Sequence, residues 1–132
     1  VTDDLCTQLS RTRLQTVMVI HANHPQEIDQ DVGRALLKLR NAGVTCLNQS
    51  VLLKGINDNV ATLTHLGERL FTFGCIPYYL HVLDHVRGSQ HFLVDDAQAL
   101  ALHQQLKQQL AGFLVPKLVR ELPGEPSKTW LA

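Results

Sequence analysis

The chain has 132 residues, enough for one domain with a real core, and its 12 basic and 12 acidic side chains cancel. With 45% apolar and 18% charged residues it has the balance of a globular protein. The even charge argues against a nucleic-acid partner, and no apolar run approaches the ~20 residues that span a bilayer.

Cys6, Cys46 and Cys75 are odd in number and widely spaced, with no C-x-x-C pair. That pattern argues against a disulfide framework and for packed thiols in a cytoplasmic protein. Val1 is followed at once by Thr-Asp-Asp, which is no secretory signal, and the start without methionine suggests a chain cut from something longer.

In chain order, Thr2 to Ser10 reads as the end of an earlier helix. Leu14 to Ile20 is a short, nearly continuous apolar run, as expected of a strand covered on both faces. Ile28, Val32, Ala35, Leu36 and Leu39 fall on one face of a helix that Gly43 ends. Val44 to Leu53 reads as a second strand. Asp58 is the expected cap of a helix carrying Leu63, Leu66, Leu70 and Phe73, closed by Gly74. Ile76 to Leu83 follows as a third strand. Asp95 or Asp96 opens the longest helix, with Leu102, Leu106 and Leu110 along one side and Gly112 near its end. Lys117 to Leu122 makes a last strand. This β-α-β-α-β-α-β order predicts an α/β fold with parallel strands and right-handed crossovers. Either an open doubly wound sheet or a partial (β/α) barrel would satisfy it, and the placement of polar residues favours the partial barrel.

Ligands of parallel sheets bind at the carboxyl ends of the strands, and the polar residues collect there. Strand one runs into His21-Ala-Asn23-His24-Pro25, and strand two carries Asn48-Gln49-Ser50. Strand three carries Tyr78-Tyr79-Leu80-His81 and ends near Asp84, and strand four ends at Arg120-Glu121 and leads to Lys128. Each has a plainer reading as well. "HANHP" makes a turn, since Pro25 restricts the residue before it. "NDN" at 57–59 reads as a helix cap, and His65 and His103 read as surface residues of helices. Alternation sets Tyr79, His81 and Leu83 on one face of strand three, and Tyr78, Leu80, Val82 and Asp84 on the other. Asp84 fits an ammonium ligand or a turn cap equally well. Lys128 reads alone as a tail residue, although Pro123, Gly124 and Pro126 hold its segment in a defined turn.

"HANHPQEI", "AGVTCLNQSVLLKGINDN", "PYYLHVLDHVRGSQHF" and "GFLVPKLVRELPGEPSK" together resemble the carboxyl-terminal part of the lysine 2,3-aminomutase family. They are most similar to the bacterial branch that makes (R)-β-lysine for attachment to elongation factor P. The resemblance runs in order from His21 to Lys128. It implies radical S-adenosylmethionine chemistry with pyridoxal phosphate and a [4Fe–4S] cluster, acting on L-lysine, in which the cofactors carry the hard chemistry. It further implies that Lys128 holds pyridoxal phosphate covalently, that Asp84 receives the substrate ε-ammonium, and that His21 and Gln49 line the S-adenosylmethionine side. Glu121 stands where the lysine-degrading members have an aspartate as second substrate carboxylate. His81 replaces a tyrosine of those members.

The family's cluster cysteines, spaced C-x-x-x-C-x-x-C, do not occur in these residues, and the three cysteines present are too scattered to substitute. The expectation is therefore the second half of a radical S-adenosylmethionine barrel over residues 1–122 and a cofactor-lysine tail over 123–132, inactive alone. Unpaired strand edges make a homo-oligomer the expected state. The rival readings are a barrel using pyridoxal phosphate without radicals, of racemase or aldolase type, and a non-catalytic domain that binds a small amine.

Overall fold

A computed structural model of the chain describes residues 1–11, 15–84, 90–120 and 128–132. In it, α1 (Asp3–Arg11) leads to β1 (Val17–Ile20), α2 (Gln30–Asn41), β2 (Thr45–Leu52), α3 (Val60–Thr72), β3 (Cys75–Val82), α4 (Asp96–Gln109), β4 (Lys117–Arg120) and β5 (Thr129–Trp130). Leu14, and residues 121 and 122 of the expected last strand, lie outside the described residues, as does the 123–127 turn. The five strands form one sheet in the order β1-β2-β3-β4-β5, parallel from β1 to β4, with β5 antiparallel to β4. No described helix is long and apolar enough to cross a membrane.

Local signals account for the helices. The Asp29 carboxylate accepts the Val32 amide at 2.9 Å to open α2, and Gly43, at φ 86°, leads the chain out of it in a conformation that favours glycine. Asp95 accepts the Gln98 amide at 2.8 Å and is the cap of α4, whereas Asp96 is its first residue. At α3 the cap is Asn59, which accepts from the Thr62 amide at 2.8 Å, and not Asp58. Asp58 instead accepts from Gly55 N at 2.9 Å, because it lies one residue too early for the first helical turn.

The sheet distinguishes the two candidate architectures. Cys46, Asn48, Ser50 and Leu52 of β2 are buried, while Leu47, Gln49 and Val51 between them are only half-buried. Residues of that buried face join both core clusters. One packs Cys46 and Cys75 with Leu36 and Leu39 of α2 and Leu66 and Leu70 of α3. The other packs Leu52, Leu80 and Leu118 with Leu63 of α3 and Leu106 of α4. Helices therefore cover one face and leave the other open, as in a segment of a (β/α) barrel and unlike a doubly wound sheet. Val17 and Val19 of the edge strand β1 are 53% and 40% exposed, which marks the sheet as unclosed there.

Two further sequence expectations need correction. His103 is 3% exposed and is not a surface residue. Its Nε2–H donates to the Pro116 carbonyl at 2.7 Å, tying α4 to the entry of β4. Burial pushes its pKa below the ordinary 6.5; the Pro116 bond pulls the other way and Lys107 adds to the lowering. A histidine with a depressed folded pKa lets the unfolded chain take up the extra proton. Its stabilising contribution is complete above an unfolded pKa of about 6.5 and is lost as pH falls through the folded value. His103→Gln, which keeps a donor for Pro116, is therefore expected to flatten the decline of melting temperature between about pH 7 and 5. Parallel melting curves for both proteins across that range would contradict this account of His103.

The second correction concerns β3. Register runs Asn48 opposite Pro77 and then Gln49 opposite Tyr79, so Tyr78 is an extra residue. The bulge switches the buried positions from Cys75 and Pro77 to Leu80 and Val82. It also brings the Tyr78 and Tyr79 rings together at 4.3 Å between centroids, where simple alternation would have set them on opposite faces.

Candidate active site

The polar strand ends divide into a framework behind the sheet and a set of groups on its open face. Asn48 and Ser50 belong to the framework. Asn48 Oδ1 accepts from the Ala22 amide at 2.9 Å, and its Nδ2 donates to the Ala22 carbonyl at 3.1 Å and to Ser50 Oγ at 3.0 Å. Ser50 Oγ donates to the same carbonyl at 2.8 Å. The mid-strand amide is thus satisfied by the backbone of the turn after β1. Asn57, read from sequence only as part of a cap, is fully buried. It accepts from Leu53 N at 2.8 Å and donates to Asn23 O at 2.8 Å and Val51 O at 2.9 Å. Asn23 Oδ1 in turn accepts from Val51 N at 2.8 Å. His24 Nδ1 accepts from Gln26 N at 3.1 Å and caps the short 3-10 turn Pro25–Glu27. The His-Ala-Asn-His turn is therefore pinned to β2 by side-chain amides.

That pinning sets the open face. Ile20 pairs with Asn48, so the register carries the exposed His21 to the level of Gln49. Gln49 pairs with Tyr79, and Tyr79 with Lys117. A single row across β2, β3 and β4 thus holds Gln49, Tyr79 and Lys117, with His21 at its level just beyond β1. His81 Nε2 lies 3.3 Å from Gln49 Oε1, and its ring meets Tyr79 edge-on at 5.7 Å. The Lys128 ammonium stands 5.1 Å from the centroid of Tyr79, a cation–π distance. Lys117 lies 4.8 Å from the ring centroids of both Tyr78 and Trp130. A hydrogen bond with the Tyr78 hydroxyl is the main cause holding the Tyr79 phenol above its ordinary pKa of 10, with desolvation and Tyr78 charge adding to it.

The structure thus brings Gln49, His81, Tyr79 and Lys128 onto one face, with His21 at the same level. Asp84 is half-buried two residues beyond β3, with one carboxylate oxygen shut off from solvent. Glu121 lies outside the described residues. Arg120, noted at the end of strand four, pairs with Asp96 of α4 and ties the helix to the strand.

The fit of cofactors to these groups differs. The face of an aromatic ring with an amine over it suits a planar, carbonyl-bearing cofactor such as pyridoxal phosphate. An iron–sulfur cluster does not fit. Among the described residues no three His, Cys, Asp or Glu side chains gather as metal ligands. Cys46 and Cys75 are buried register partners whose thiols are pushed up by desolvation, Cys75 to about 12 with Cys46 adding to it, and Cys6 lies apart on α1. Cluster ligation needs at least three thiolates gathered round the iron, and these three thiols are not gathered, nor are the two buried ones readily ionised.

No family model matches the chain. A solved radical SAM methyltransferase from Sphaerobacter thermophilus shares the fold, with a TM-score of 0.62 over 89% of this chain and 37% of that one, at 16% identity. The fold is therefore that of an open segment of a (β/α) barrel, shared with that enzyme. In sequence, the chain is 54% identical over all 132 residues to the L-lysine 2,3-aminomutase of Haemophilus influenzae, of which it covers 39%. It is 50% identical over 129 residues to the enzyme of that name in Escherichia coli K12, and 47% over 131 residues to that of Buchnera aphidicola, covering 98% and 99% of this chain and 38% of each relative. The chain spans about two-fifths of the length of these curated relatives. It is a homologue, along its whole length, of part of the lysine 2,3-aminomutases.

Proposed function

We propose that the chain is the carboxyl-terminal part of an isomerase that moves the amino group of L-lysine from C2 to C3. The parent would use S-adenosylmethionine, a [4Fe–4S] cluster held upstream of this chain, and pyridoxal phosphate. An amino group and a hydrogen exchange carbons, so substrate and β-lysine product have the same formula. The observation that carries this reading is 54% identity to an L-lysine 2,3-aminomutase with no part of the chain left over. The similarity to the elongation factor P branch further suggests that the β-lysine serves that protein's modification, in the cytoplasm.

Pyridoxal phosphate, when bound, supplies a carbonyl carbon that joins amines and a conjugated ring that spreads unpaired electron density. The residues of this chain supply the rest. Lys128 is the amine that holds the group, steadied by the face of Tyr79. Asp84 neutralises the ε-ammonium of lysine at the end of β3, with Glu121 as its companion, which fixes which end of the substrate enters. Gln49 and His21, level with each other on β2 and beyond β1, face S-adenosylmethionine.

Borohydride trapping on the full-length parent tests the reading. After incubation with pyridoxal phosphate, borohydride fixes any amine that has joined the carbonyl, and mass spectrometry locates it. Pyridoxylation confined to Lys128, and lost in Lys128→Ala, is the expected result. Label spread over Lys38, Lys54, Lys107 and Lys117 with Lys128 unmodified would reject it.

A further inference from the structure

Among the described residues His81 makes the one side-chain hydrogen bond to Gln49. A carboxamide oxygen only accepts, so the imidazole Nε2–H is the donor in the 3.3 Å contact with Gln49 Oε1. With its oxygen turned to His81, the Gln49 amide presents its NH2 end elsewhere on the open face. The edge-on contact with Tyr79, at 5.7 Å and 61° between planes, supports the imidazole on its other side. Tyr79 itself packs against the Tyr78 ring at 4.3 Å and lies beneath Lys128.

We propose that His81 is a positioning residue for the ligand of Gln49. By donating to Gln49 Oε1 it fixes the amide as an N–H donor, so the site selects an oxygen acceptor, the chemistry of a carboxylate or a ribose hydroxyl. The inference rests on the reading of Gln49 as facing S-adenosylmethionine, which carries both acceptors. Without the His81 donor the amide can turn over and present its carbonyl oxygen, which repels a carboxylate. The contact is at the long end of hydrogen-bond range, so the expected loss is modest, about five- to tenfold in affinity.

The test is anaerobic equilibrium dialysis of S-adenosylmethionine against the full-length parent, which reads binding and not turnover. His81→Phe is expected to weaken binding about five- to tenfold. His81→Gln, which carries an N–H near the position of the imidazole Nε2, is expected to recover most of it, and this rescue separates orientation from loss of fold. In a Gln49→Ala background, His81→Phe is expected to add nothing further, since its target is gone. Additive losses in the double variant, or full affinity in His81→Phe, would overturn the proposal. Should His81→Phe fail to fold, loss of affinity in His81→Gln equal to that of Gln49→Ala would overturn it equally. A wild-type parent that binds no S-adenosylmethionine would reject the functional reading instead. Binding that survives Gln49→Ala would reject the role of Gln49, and this proposal with it.

Discussion

Lys128→Ala in the full-length parent is expected to lower β-lysine formation by on the order of 10³-fold or more while leaving the fold intact. Lys128 is half-buried beside the two-residue strand β5 and belongs to neither apolar cluster, so trimming its side chain is expected to leave the core packed. A cation resting on Tyr79 could have two different jobs, and one further variant tells them apart. If Lys128 only supplied positive charge over the ring, Lys128→Arg would restore activity, because guanidinium makes the same cation–π contact. If its nitrogen must bond to a carbonyl carbon, Lys128→Arg stays inactive, because guanidinium remains protonated at any working pH. The proposed function requires the second result, together with loss of pyridoxal phosphate absorbance from the purified variant. Activity within tenfold of the parent in Lys128→Ala would remove Lys128 from the chemistry.

The alternation of elements could be read from local pattern because its signals are local. The apolar stripe of α2, the cap at Asp29 and the exit at Gly43 all lie within about four turns of helix. The two-residue β5 could not, since Thr129 and Trp130 become a strand only by pairing with Arg120 and Val119. Strand alternation sorts residues into two faces without saying which face the helices cover. By alternation alone Asn48 and Gln49 are equal candidates; the resemblance picks out Gln49, and the packing of Cys46 and Leu52 sets Asn48 behind the sheet and Gln49 in front. Tyr78 defeated alternation altogether, because a bulge leaves no mark in the order of residues. His81 and Gln49 were each conspicuous, but they are 32 residues apart and only the register of β2 and β3 makes them a pair. In Asn57-Asp58-Asn59 every residue is a good cap by type. Only geometry distinguishes the cap, Asn59, from the buried brace, Asn57.

That brace carries the second large effect. Asn57→Asp is expected to lower the melting temperature of the parent by roughly 5–10 °C, although the two side chains are nearly the same shape. Asn57 accepts one amide and donates to two carbonyls, all three within 2.9 Å, in a site closed to solvent. A carboxylate keeps the bond from Leu53 N but turns an oxygen toward Asn23 O and Val51 O, where two donated bonds become repulsions. Losing those bonds with their partners still buried costs about 3 kcal/mol, and burying a charge adds to it. The charge gives the prediction a signature. Burial and the two carbonyls favour the protonated acid, so in the variant the folded state holds a proton that the unfolded chain, with a carboxyl pKa of about 3.9, releases. Stability of the variant should therefore recover, relative to the parent, as pH falls from 7 toward 5, where the acid can donate to one carbonyl again. Asn57→Ala lacks the charge and should show a comparable deficit that stays constant over the same range. Melting curves of the three proteins at several pH values decide the matter, and a deficit in Asn57→Asp that does not move with pH would mean that Asn57 is not the donor to these carbonyls. Because the same amide holds the turn between His21 and Pro25 against β2, both variants should also bind S-adenosylmethionine more weakly than the parent, without touching it themselves.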